Sequence, residues 1–172
     1  MERTVRATRV RSLVRPPRAL PWLAVTASLQ CSDLGGIVDE LSRSFVVTPG
    51  TVAPGDSLRA VLTLHNPTGR SVSLTGLYAC PAFLFAKRDA VEIELEGSKF
   101  DCPPAATNFR IASRDALVVN YHLKAAVRTP GTSGPYTAAA AGTYRLRADL
   151  NMSLPDMEAT FTVTAGLPAT RE

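Results

Sequence analysis

From about residue 45 to residue 165, apolar and polar positions alternate in short runs separated by turn residues. The clearest run spans residues 58–66. Leu58, Ala60, Leu62 and Leu64 share one parity, while Arg59, Val61, Thr63 and His65 share the other. A period of two sends successive side chains to opposite faces, so this run predicts a half-buried strand. Leu117, Val119, Tyr121, Leu123 and Ala125 repeat the pattern opposite Val118, Asn120, His122 and Lys124. Tyr144, Leu146, Ala148 and Leu150 do the same opposite Arg145, Arg147 and Asp149. Residues 91–96 alternate three apolar side chains with three glutamates; as a strand they send Glu92, Glu94 and Glu96 outward together. Residues 82–86 are continuously apolar, which predicts a strand covered on both faces.

Turn chemistry punctuates these runs. Pro54-Gly55-Asp56 precedes the first long strand, and Asn66-Pro67-Thr68-Gly69-Arg70 follows it. The second turn predicts a β-hairpin between residues 58–66 and 71–75. Residues 129–142, rich in Pro, Gly, Thr and Ala, read as a long loop with a helical turn near residues 138–141. Roughly eight short strands with no amphipathic helix predict two packed antiparallel sheets. The expected fold is therefore an immunoglobulin-like β-sandwich of about seven to nine strands, with a partly open β-barrel as the alternative. It is expected over residues 44–165, after a linker at residues 31–43 and before a polar tail at residues 166–172.

Charge changes the picture of possible partners. The formal charge of +4 is concentrated in the first 18 residues, which hold six arginines against one acid. From Cys31 onward there are 13 basic and 14 acidic residues, so the folded part is near neutral and nucleic-acid binding is not expected. Sixteen arginines against three lysines fit a GC-rich bacterial genome. The apolar run after the basic segment, residues 19–29, has signal-peptide length and is too short to span a bilayer. Residues 1–30 thus predict an export leader, with cleavage after Ala27 or lipidation at Cys31. The alternative is a cytoplasmic protein with a basic arm. Membrane attachment is expected only through a lipid at Cys31.

Candidate chemistry is sparse. His65 and His122 lie on the outward parity of their strands, no G-x-S-x-G occurs, and no cysteine or histidine pair has zinc-ligand spacing. A phosphate-cradling glycine loop is absent as well. No enzymatic activity, cofactor or metal is expected. The three glutamates of residues 91–96 read as a solvated strand face that resists edge pairing rather than as a Ca²⁺ site. Asn151-Met152-Ser153 matches a glycosylation sequon, which carries little meaning in a bacterial chain. Cys80 and Cys102 suit a disulfide, which would close a loop of about 22 residues and stabilise the fold by roughly 3 kcal/mol. Such a bridge and export support each other.

Several pieces together resemble the BsuPI-type family, named for a bacterial intracellular proteinase inhibitor. These lie between about Gly55 and Leu150: residues 58–66 ending in the L-x-L-x-N-P-T turn, Val72-Ser73-Leu74, the strand pair at residues 83–96, the long strand at 117–123, and Gly142-Thr143-Tyr144-Arg145-Leu146. The chain departs from the family's acidic Pro-Gly turn, having Ala112-Ser113-Arg114-Asp115 there. The resemblance implies the sandwich fold and protein binding, with a protease among the possible partners. The expected function is an exported binding or accessory module, with proteinase inhibition as the alternative. The expected contact surface is the loop at residues 129–142, with Thr129, Ser133 and Tyr136 as its binding residues, together with a second loop at residues 101–108.

Overall fold

The computed structural model describes residues 40–165; the expected leader, its expected cleavage site and Cys31 lie outside the described residues, as does the tail from residue 166. Eleven strands and no helix make up the described part. One sheet runs in the order β1 (Ser42–Thr48), β3 (Ser57–His65), β8 (Ala116–Arg128) and β6 (Val91–Glu96), all antiparallel. The other runs from β6 through β5 (Ala82–Arg88) and β10 (Gly142–Leu150) to β11 (Met157–Val163), with β2 (Thr51–Val52) parallel to β11. The short β9 (Thr137–Ala138) adds to β8. A separate ribbon pairs β4 (Val72–Tyr78) with β7 (Pro104–Ile111).

This is the expected fold class. The orders β1-β3-β8-β6 and β5-β10-β11 match the four- and three-stranded sheets of an immunoglobulin sandwich. Strand β6 supplies the barrel character: it pairs with β5 through Val91, Glu92 and Ile93, then with β8 through Glu94, Leu95 and Glu96. By changing sheets it joins the two into one nearly closed surface. The alternating runs bury the faces they predict, with Ala60, Leu62, Leu64, Leu146 and Ala148 removed from solvent. Tyr144 and Phe161 stack in the interior with ring centroids 5.2 Å apart.

Four local expectations are corrected. Strands β3 and β4 do not form a hairpin: β3 pairs with β1 and β8, and β4 pairs with β7. Asn66 explains the change of direction. Its buried side chain donates to the carbonyls of Arg70, Ile111 and Ala112 and accepts from the Thr68 amide and hydroxyl. The turn is thereby tied to the end of β7, so β4 joins that strand instead of folding back on β3. Residues 138–141 form no helical turn, because Thr137 and Ala138 pair with β8 and the Ala139 amide donates to Ala125 O at 2.8 Å. Residues 104–108 of the predicted second loop lie in β7. Finally, β5 is covered on one face only. Leu84 and Ala86 are buried, whereas Phe85 on the opposite parity is 42% exposed.

Candidate functional site

The three carboxylates of β6 each meet a cation on an adjacent strand. Glu92 lies 3.7 Å from Lys87 of β5, and Glu96 lies 2.6 Å from Lys124 of β8. Glu94 is not the solvated outward carboxylate that strict alternation predicts, since its side chain is only 11% exposed. Crossing from β5 to β8 brings it opposite Arg128 and under the following loop. Arg128 Nε donates to Glu94 Oε1 at 2.9 Å, its Nη2 donates to the same oxygen, and the Tyr136 hydroxyl donates there at 2.5 Å. The Arg128 guanidinium also lies 4.3 Å from the centroid of the Tyr136 ring, a cation–π contact.

These contacts set the local protonation. The bond from Tyr136, with Arg128 adding to it, holds the Glu94 carboxyl below the usual carboxylate range against the opposing effect of burial. Burial, and then the Glu94 bond, push the Tyr136 phenol upward. Among the described residues, no three His, Cys, Asp or Glu side chains are grouped to hold a metal.

The same contacts fix the loop after β8. Arg128 Nη1 donates to Gly134 O at 3.4 Å, and the Thr132 hydroxyl donates to Thr129 O at 2.7 Å. Thr129 and Ser133 are exposed on this loop, whereas Tyr136 is half-buried and turned toward Glu94. The three sequence-derived binding residues therefore divide into two outward positions and one anchor. His122 is exposed and His65 half-exposed, both on the faces turned away from the core. Asn151 of the sequon is engaged internally, its side-chain amide donating to Tyr78 O and Cys80 O at 3.1 Å each.

Beside the loop lies a feature that the periodicity did not disclose. A cleft of about 270 Å³ opens where β6 diverges from β5, walled by Phe83, Phe85, Ile93 and Phe100, with Glu94 and Lys99 at its edge. Phe100 comes from residues 97–102, a segment that follows β6 and is fastened at both ends. At its start Gly97 has φ +88°, and a Cβ there would come within 2.3 Å of the His122 carbonyl oxygen. At its end Cys102 is bonded to Cys80, with Cα atoms 5.5 Å apart. Between them Phe100 packs against Tyr121, ring centroids 5.4 Å apart. The disulfide is the pairing the sequence predicts, and it closes the segment that brings Phe100 to the cleft. Outward parity of Phe83 and Phe85 is readable from the buried Leu84 between them; their meeting with Phe100 depends on a bridge that pairing statistics cannot position.

No protein-family model and no curated protein matches the chain. Solved structures resemble it distantly. A β-glucosidase from Erythrobacter marinus is 15% identical with a TM-score of 0.43, covering 72% of this chain and 16% of that one. The alkylpurine DNA glycosylase AlkC of Pseudomonas fluorescens is 12% identical with a TM-score of 0.38, covering 73% of this chain and 31% of that one. A CARDB domain from Pyrococcus furiosus is 13% identical with a TM-score of 0.35, covering 73% of this chain and 89% of that one. The chain thus spans about a sixth of the β-glucosidase and under a third of the glycosylase.

Proposed function

We propose that this protein is a non-enzymatic, exported β-sandwich module that binds another protein through the surface formed by residues 129–136 and the adjoining cleft. One observation carries the reading. An exposed loop is held at both flanks by the Arg128–Glu94–Tyr136 cluster, directly beside an aromatic-walled cleft. A loop fixed before binding loses less conformational entropy on association, and partly exposed aromatic side chains supply contact area at low cost. The Cys80–Cys102 bridge supports an oxidising, extracytoplasmic setting. Lipid anchoring at Cys31 is one form that export would take.

A photo-crosslinking residue at Ser133, compared with one at Arg43 on β1, tests the surface in living cells. A discrete protein adduct at Ser133 but not at Arg43 is the expected result. Equal labelling at both, or none at either, contradicts the assignment.

The exposed, anchored loop also favours a narrower reading, suggested by the BsuPI-type resemblance, in which the partner is a proteinase. Titration of a subtilisin-type protease decides it. Loss of activity at stoichiometric protein supports inhibition, and full activity in excess protein removes it.

A further inference from the structure

We infer that the cleft accepts an extended peptide segment of a partner protein as an added strand on β5, with a large apolar side chain between the phenylalanines and a carboxylate beside Lys99. This rests on the binding-module reading and names the chemistry of its partner.

Strand β5 pairs with β10 along its whole length, from Ala82 to Arg88, but with β6 only from Ala86 to Arg88. Main-chain groups on an antiparallel strand alternate between its two neighbours. The Asn151 amide, beyond β10, donates to Pro81 O at 3.1 Å, so the odd-numbered groups of β5 face β10. The even-numbered groups face the other way. Consistently, the Tyr121 hydroxyl reaches Ala82 O from that opposite side at 3.4 Å.

The N–H and C=O of Leu84 therefore point to the place vacated by β6. The β5–β6 ladder ends at Ala86, and no loop or side chain among the described residues bonds to them. Because the Leu84 side chain is buried in the core, what this residue offers to the cleft is its main chain. Residues 82–85 carry none of the charges that usually guard an open edge.

The shape of the vacancy selects the occupant. A small apolar molecule would touch the aromatic walls and shield the Leu84 donor and acceptor from water without pairing either. An extended peptide pairs both and places alternate side chains against the walls, the logic of strand addition. Residues 82–85, about 14 Å at roughly 3.4 Å per residue, receive a segment of similar length.

Charge then narrows the sequence. Glu92 is paired with Lys87 and Glu94 with Arg128, whereas Lys99 forms no ion pair among the described residues. A carboxylate on the incoming segment supplies the missing partner.

The test uses the full chain, ¹⁵N-labelled, and a phage-displayed library of random hexapeptides. In the free protein, amide exchange at Leu84 should be at least about 100-fold faster than at Phe83 and Phe85, whose amides face β10. Equal protection of all three overturns the open edge, whether or not the protein binds partners elsewhere. Selected peptides should carry a large apolar residue with Asp or Glu within two positions, and should protect the Leu84 amide when added. Selection against Lys99→Glu should reverse the preferred charge, and Phe85→Lys should abolish enrichment. Peptides that bind equally to both variants and leave Leu84 unprotected overturn strand addition while leaving a binding module in place. Absence of any enrichment counts against both.

Discussion

Asn66 is the residue on which the β3–β4 connection depends most. Its side chain makes five hydrogen bonds from a buried position, three of them to carbonyls of the turn and the end of β7. Asn66→Ala removes all five and should cost about 3 kcal/mol, read as a lower midpoint in urea unfolding. Gly97→Ala should be comparably costly, since it adds a Cβ against the His122 carbonyl at positive φ. The titrating groups give two opposite pH limits. Glu94 has a lowered folded-state pKa, so its contribution is present above the ordinary carboxylate range and is lost as pH falls through the folded value. Tyr121 is raised to about 12 by burial, so folding favours its neutral form. That stability is complete below the unfolded value near 10.0 and is lost as pH rises toward 12. Tyr136→Phe should remove the bond to Glu94 and weaken the acid-side dependence, measured by thermal unfolding between pH 3 and 7, whereas Tyr121→Phe should weaken the alkaline-side dependence, which Tyr136 shares, and leave the acid side unchanged.

Among the elements, the β5–β6 hairpin shows what alternation reveals and what it hides. Strand existence was legible at residues 82–86 and 91–96 because side-chain parity is local. The turn between them was not, since Asp89 and Ala90 take φ values of 47° and 67° with no glycine to mark them. Left-handed backbone at an alanine is strained, so Ala90→Gly should stabilise the protein by about 1 kcal/mol, checked by urea unfolding. The partners of β3 and β4 were hidden, whereas the pairing of residues 83–96 was legible: the hairpin expected from Asn66-Pro67-Thr68-Gly69-Arg70 fails because the turn is tied to residues more than 40 positions later. Glu94 has the outward parity that the sequence gives it, yet the change of sheet places it under Arg128 and Tyr136. Replacing both Cys80 and Cys102 by serine should cost roughly 3 kcal/mol and free residues 97–102 from the edge of the cleft.

At the scale of the molecule, composition and bridge point the same way. Six of the 19 basic residues lie in the first 18 positions, and from Cys31 onward the chain is nearly neutral. The sheet topology bears out the sandwich, and β6 makes the barrel alternative a matter of degree. The cleft was beyond sequence reasoning because it arises from a mismatch: β6 is shared between two neighbours and can satisfy only part of each. Whether the protein is an exported, disulfide-closed binding module is decided by the mass and non-reducing peptide map of the protein isolated from the cells that make it. The expected chain begins at Ser28 or at an acylated Cys31, with Cys80 and Cys102 linked. A chain that retains Met1 and carries both thiols free would contradict it.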